Sequence, residues 1–478
     1  MEPLYKFDPA RCLSDWETPM ITPVLARNPA KTALFQKVDW ISFGIAFLLS
    51  FIVYLFTLSP ENDLEFSGVY ATSAMYLGVS NPPAYPIWTV YTFLFIDMIP
   101  ICNVAWRVGV ATAIASAMTC GLVALMVSRI GALAAENVPA FTALSSKEQR
   151  AIRIVCGGVA AMGFGLDGCF WRRAVVPDQW NFNIFLFALT LCLLTRWFFA
   201  PEQKRYLFLA ALTEGLLLSD SQALFPTAYA LPFLLAFGSP NLGRDILFLP
   251  GFFFSFILAT NSHLHWFDFW LNQSTLPCEI FATTLVLSIW IVLLANTRKL
   301  FSEWKTAITC VFLFLIGVST YFLLAPFSMA DPPMNWGYPR TVEGFFHVVS
   351  RGQYGAPVFI RDFHDLPPRW KIYGKIAMEQ FGAAYLVAAA IPLFFLVKMP
   401  PIVRRWVLAM IVVWFLVSQL MLVALNMSLD KSTYELDAVF LSATHFLLAL
   451  LAGCGFMLAA VYCACLTGKK TCAVGEPL

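Results

Sequence analysis

Two stretches of this chain gather ionisable and aromatic residues in patterns suited to catalysis or ligand binding. Residues 59–105 hold Glu61, Asp63, Glu65 and Asp97, with no lysine or arginine. A carboxylate beside a membrane surface becomes a useful general base when partial burial raises its pKa toward the working pH. A solvated acidic loop has the same composition. Residues 328–376 set Arg340, Arg351, Arg361 and Arg369 about every ten residues, with Trp336, Tyr338, Phe345, Phe346, Tyr354 and Trp370 among them. Guanidinium forks match phosphate oxygens, and aromatic rings suit a membrane interface or a sugar face. A lipid-linked phosphate finds both here. An interfacial loop anchored by aromatics would also read this way.

Other polar residues stand inside or beside apolar runs. Asp178 and Asp220 are expected at the ends of spans, on the side of the two long loops. Glu214 lies within a short apolar run, where a charge costs about 2.5–3.5 kcal/mol, so it should face other helices or carry a proton. His445 poses the same choice in the last run. His263, His265 and Asp268 could supply three metal ligands, but their spacing follows no strong metal motif. No metal is expected. Most of the 12 cysteines are scattered through apolar runs, where cysteine acts as a small hydrophobe.

The elements that must position these groups are membrane helices. The chain has 478 residues, of which 59% are hydrophobic and 13% charged. Soluble domains carry about 25% charged residues. Apolar runs of spanning length fall at 38–58, 106–128, 154–171, 180–198, 206–220, 222–239, 246–261, 276–297, 307–327, 377–397, 406–426 and 437–466. The reading is an all-α polytopic membrane protein of about twelve spans. The run 86–100 is shorter and holds Asp97 and Pro100, so it is expected as an interfacial or re-entrant helix. The net charge of +2 gives no electrostatic basis for a nucleic-acid partner.

With a cytoplasmic N-terminus, the inner segments hold 21 of the 31 basic residues. Both termini are then cytoplasmic. The expected organisation is a polar tail at 1–37, which does not read as a cleavable signal, and a transmembrane core at 38–327. That core contains the first outer loop, 59–105. The second outer loop follows at 328–376, then C-terminal spans at 377–466 and a tail at 467–478. Both long loops are expected to contain short interfacial helices.

"SGVYATSAMYLGVSNPPAYPIWTVYTFLF", followed by "NVAWRVGVATAIASA", resembles the signature of a bacterial membrane family grouped with protein O-mannosyltransferases. That pattern runs roughly D-S-G-E, a small-residue helix, L-G-V-x-H-P-P-G-Y-P-L and N-x-A-W-R-V-N. "FWRRAVVPDQWNFNIFLFALTLCLLTRW" and "NWGYPRTVEGFFHVVSRGQYG" are similar to two further stretches of the same family, in the same order. The resemblance covers roughly residues 40–375. It implies a GT-C-like fold with an active site on the outer face, in a bacterial inner membrane. It also implies transfer of a sugar, mannose in the vertebrate relatives, from a polyprenyl-phosphate carrier to a protein Ser or Thr. The lipid-linked sugar is then a co-substrate, membrane lipid and the protein acceptor are partners, and no other cofactor is implied.

This chain departs from the pattern where the chemistry sits. The family's first-loop Asp and Glu fall on Phe66 and Val69, which cannot take a proton. Its His before Pro-Pro is Asn81, and its N-H-Q becomes Asp220-Ser221-Gln222. Glu65, Asp178 and Asp63 are therefore the candidate catalytic carboxylates. Arg340, Arg351 and Arg107 are the candidate lipid-phosphate ligands. Asn81, Pro82, Pro83 and Tyr85 form the candidate acceptor loop, with the prolines fixing the backbone ahead of the interfacial helix. Three functions stay open: an active transferase, a degenerate paralogue that binds lipid phosphate or a partner without transfer, and a transporter.

Overall fold

The computed structural model describes residues 34–63, 66–264, 276–354, 360, 363–431 and 437–466. Glu65, His265, Asp268 and both predicted tails, apart from residues 34–37, lie outside them. The helices in chain order are α1 (Lys37–Phe56), α2 (Ser67–Tyr76), α3 (Pro86–Met98), α4 (Val104–Ala134), α5 (Pro139–Ala143) and α6 (Ser146–Gly165). Next come α7 (Gly168–Ala174), α8 (Trp180–Phe199), α9 (Lys204–Asp220), α10 (Phe225–Gly238), α11 (Pro240–Leu264) and α12 (Leu276–Thr297). The last are α13 (Trp304–Val318), α14 (Leu324–Met329), α15 (Val342–Val349), α16 (Leu366–Phe394), α17 (Pro401–Leu425) and α18 (Ser442–Leu466). No strand occurs among the described residues. The isolated bridge Val79–Asn335 joins the two long loops.

Every predicted apolar run falls on a helix, and some of the twelve are not by themselves long and apolar enough to count as a span among the described residues. Among the described residues, 7 helices are long and apolar enough to cross a membrane, or up to 8 if the bent pair α6–α7 is one span. Two of the predicted runs form helices shorter than the roughly 20 residues a bilayer needs: α9 has 17 residues and α10 has 14. The run 154–171 is bent by 76° between α6 and α7, where the Asp167 carboxylate caps α7 by accepting from Cys169 N at 2.8 Å. The run 86–100 forms α3, whose 13 residues are too few to span a bilayer. The chain is thus a multi-pass integral membrane protein.

Small residues decide which helix lies innermost. α4 is rich in Ala, Gly, Ser and Thr, and 89% of its most apolar window is buried, against 33% for α1 and 28% for the α13–α14 span. α4 packs against α1, α3, α6, α8 and α18. Close backbone approach is what small side chains permit between membrane helices. Large apolar side chains instead remain exposed on α1 and α13, such as Leu48, Ile52, Ile308 and Phe312. Lipid is the solvent for such a surface.

Polar pins tie the helices together. At the end of α1 away from the loops, Asp39 accepts from Ser128 Oγ at 2.5 Å and from Arg153 Nη2 at 2.6 Å, joining α1, α4 and α6. His445 Nδ1 lies 2.6 Å from Asp167 Oδ2, with both residues fully buried, so α18 is held to the α6–α7 bend. α9 and α13 touch through glycines: a Cβ on Gly215 would lie 2.1 Å from the Phe314 carbonyl oxygen, and one on Gly317 would lie 2.6 Å from that of Leu212. Both obstacles are backbone and cannot rotate away. Gly215→Val is expected to destabilise the protein by at least about 1–3 kcal/mol. A lower thermal midpoint in detergent would show it, and an unchanged midpoint would mean the two helices separate freely.

Candidate active site

The first long loop is shaped by its backbone before any side chain is considered. Leu77, Ala84 and Tyr85 all have positive φ, at 48°, 77° and 46°. Ala84 N donates to the Asn81 carbonyl at 2.9 Å, closing the turn that carries Pro82 and Pro83. Residues 79–86 are buried. α3 then starts with Pro86 in its first turn, where a missing N–H costs nothing.

The second loop docks on this turn. Val79 N donates to the Met334 carbonyl at 2.8 Å, and Trp336 N donates to the Val79 carbonyl at 3.0 Å. Gly78 makes the seam possible, because a Cβ there would sit 2.5 Å from the Met334 oxygen. Val79, Ala84, Tyr321, Leu324 and Val348 form a small apolar core beneath the seam. Gln222 Nε2 donates to the Tyr321 hydroxyl at 3.0 Å and to the Val349 carbonyl at 2.7 Å, which ties α15 to the α9–α10 turn. Asp220 holds α3: its Oδ1 accepts from Ile87 N at 2.9 Å and from Trp88 N at 3.1 Å. A carboxylate is favoured at a helix N-terminus, where amide hydrogens lack partners.

Tyr70 and Tyr85 meet edge to face with ring centroids 5.7 Å apart, and Trp88 packs 5.4 Å from Tyr70. Burial holds both phenols above their ordinary range. The nearby Asp178 charge pushes both in the same direction, while the Arg351 charge draws Tyr85 back down. Both therefore stay protonated at neutral pH. Asp178 Oδ1 accepts from Trp180 N at 2.6 Å, and Oδ2 pairs with Arg173 at 3.0 Å. Gln179 contacts Tyr70, and Tyr354 lies beside Tyr85. One carboxylate, the guanidinium groups of Arg173 and Arg351 and the phenols of Tyr70, Tyr85 and Tyr354 are thus gathered from α2, α7, the two loops and the α7–α8 turn.

The three arginines expected to hold phosphate differ sharply in what they touch. Arg351 stacks over Tyr354 at 4.9 Å, and its guanidinium makes no hydrogen bond or ion pair among the described residues. Arg340 is exposed, 3.4 Å from Asp331 and 5.4 Å over the Tyr338 ring. Arg107 donates to the carbonyls of Ile96, Ile101 and Cys102 at 2.9–3.2 Å, so its donors hold the α3–α4 turn. Asp63 is exposed, and its carbonyl accepts from Ser67 Oγ at 2.5 Å. Phe66 and Val69 occupy the start of α2, where an acid would have had a favourable helix terminus.

Sequence reasoning did not single out Tyr70, Trp88, Gln179 or Tyr321 as site residues. Tyr321 sits inside an apolar run, where an aromatic ring reads as lipid-facing. Tyr70 lies in the quoted loop motif, and that was the one signal that could have marked it.

Comparison with known proteins reaches the first loop and the α7–α8 turn of this region. The family model for the N-terminal domain of the protein O-mannosyl-transferase TMEM260 matches residues 67–243. The chain is 27% identical over 172 residues to protein O-mannosyl-transferase TMEM260 of Mus musculus, covering 35% of this chain and 22% of that protein. It is 22% identical over 322 residues to protein O-mannosyl-transferase tmem260 of Dictyostelium discoideum, covering 65% of this chain and 30% of that protein. The matches therefore span less than a third of either relative's length. No solved structure matches. Both relatives are eukaryotic, so they lend no support to the bacterial setting implied by the sequence resemblance.

Proposed function

We propose that this chain is a membrane-embedded transferase of the O-mannosyltransferase type. It moves a sugar, mannose by the resemblance, from a polyprenyl-phosphate carrier to a protein Ser or Thr at the membrane face that carries the two long loops. One observation carries this reading. Arg351, with no hydrogen-bond partner among the described residues, shares the surroundings of buried Tyr85 with the Asp178 carboxylate. A phosphate ligand and a proton acceptor are what such a transfer needs, and the two long loops and the α7–α8 turn supply both.

In this reading Asp178 takes the acceptor hydroxyl's proton as its oxygen bonds to the anomeric carbon. The bond from that carbon to the phosphate oxygen breaks, and its electron pair stays on the departing polyprenyl phosphate, where Arg351 meets the charge. The Tyr70 and Tyr85 phenols line the acceptor side. The lipid-linked sugar is the co-substrate, and no other cofactor enters the scheme.

The test is mannose transfer from a short-chain polyprenyl-phosphate mannose to a mixed protein acceptor by the purified full chain. Turnover supports the proposal. Phe66 and Val69 favour a second reading, a binder without transfer, and retained donor binding with no turnover would select it. Gly78→Ala forces the seam apart at Met334. It is expected to lower transfer by about 10²-fold, the effect of misplacing reacting groups by about 1 Å. Wild-type rates in that variant would remove the seam from the mechanism.

A further inference from the structure

Away from this site, a cavity of ≈ 230 Å³ opens among α8, α9, α10, α11 and α13. Its lining is almost wholly carbon, and Glu214 is the only ionisable carboxyl in it. An apolar cavity of roughly 150 Å³ already holds a benzene ring. This one has room for part of a lipid chain.

Glu214 is not satisfied by its neighbours. It is 5% exposed, and its Oε2 has no hydrogen-bond partner. Its Oε1 lies 2.7 Å from Thr227 Oγ1, which also lies 2.7 Å from the Leu224 carbonyl. A hydroxyl has one hydrogen to give. Both contacts are met together when Glu214 itself carries the proton on Oε1. That leaves Oε2 as a buried acceptor awaiting a donor.

Two prolines add acceptors to the same wall. Pro232 lies within α10 and Pro250 within α11, so neither can give the helical N–H four residues back. The carbonyls deprived of that bond belong to Ala228 and Ile246, and both residues line the cavity. The space is therefore apolar in its body, and two helix carbonyls in its lining residues lack their usual helical donor.

We propose that this cavity binds a membrane lipid bearing a free hydroxyl, with the hydroxyl donating to Glu214 Oε2 and the hydrocarbon filling the space. This site is independent of the transferase reading. The donor's phosphate would need cations, and the cavity has none among its lining residues.

The test is photocrosslinking of the purified full chain in lipid nanodiscs. The probes are a diazirine-bearing long-chain alcohol, its methyl ether and a diazirine-bearing sterol. The alcohol should label peptides of α9–α11 about tenfold more than the ether, the effect of one hydrogen bond to a buried acceptor. Glu214→Leu should remove that preference, and Glu214→Gln, which keeps an acceptor oxygen, should retain it. Ala210→Phe, which fills the space, should abolish labelling. The Glu214 pair decides the matter if the filled variant fails to fold. Competition by the sterol would assign a sterol, and its absence a chain alcohol. Excess polyprenyl phosphate, with no free hydroxyl, should leave labelling unchanged. Equal labelling by alcohol and ether, or unchanged labelling in Glu214→Leu, would overturn the proposal.

Discussion

Asparagine at position 178 is expected to lower sugar transfer by about 10²–10⁴-fold, the range over which a positioned acid–base group contributes. The substitution is nearly isosteric. Its oxygen still accepts from Trp180 N, as Asp178 Oδ1 does at 2.6 Å, so the start of α8 keeps its cap. What is lost is the charge facing Arg173 and the ability to take a proton. The fall should lie in kcat with donor affinity held, because Arg351 and the loop seam are untouched. A thermal midpoint near that of the parent chain separates this from unfolding, since breaking a buried ion pair can cost about 3–5 kcal/mol. Turnover within a few-fold of the parent would acquit Asp178. Attention would then move to Asp220, whose Oδ2 is buried without a partner.

Alanine at position 351 is expected to weaken binding of a short-chain polyprenyl phosphate by about 10–100-fold, as for loss of one or two charge-assisted hydrogen bonds. Arg351→Lys should recover part of this, because an ammonium keeps the charge and loses the planar fork. The other two arginines serve as internal controls. Arg340→Ala breaks a contact of 3.4 Å to an exposed aspartate and should change affinity little. Arg107→Ala removes donors from three carbonyls of the α3–α4 turn, so it should lower stability rather than affinity. Calorimetric titration with the lipid phosphate measures all four variants. Equal loss in Arg340→Ala and Arg351→Ala would mean a diffuse electrostatic surface rather than a site.

Composition and apolar run length were enough to determine a polytopic helical membrane protein, because a bilayer demands intrahelical satisfaction of every backbone group. The loop motifs, with their Pro-Pro turn and their arginines among aromatics, pointed to the two segments that meet in the fold at Val79, Met334 and Trp336. They also marked Asp178 and Arg351 without separating them from Asp63 or Arg107. That separation depends on what each side chain touches: Arg107 is spent on carbonyls of its own turn, and Arg351 is not. The α9 and α10 runs are apolar but form helices of only 17 and 14 residues, a length that apolar run length did not reveal because it depends on caps and prolines in the fold.

Run length and residue type are local properties, so the helices, the membrane setting and the two polar loops could be read along the chain. The pairing of Val79 with Met334 and Trp336 brings together residues some 255 positions apart. That pairing emerges in the folded chain alone, because such a contact depends on a glycine with no Cβ and on the packing of helices between the two segments.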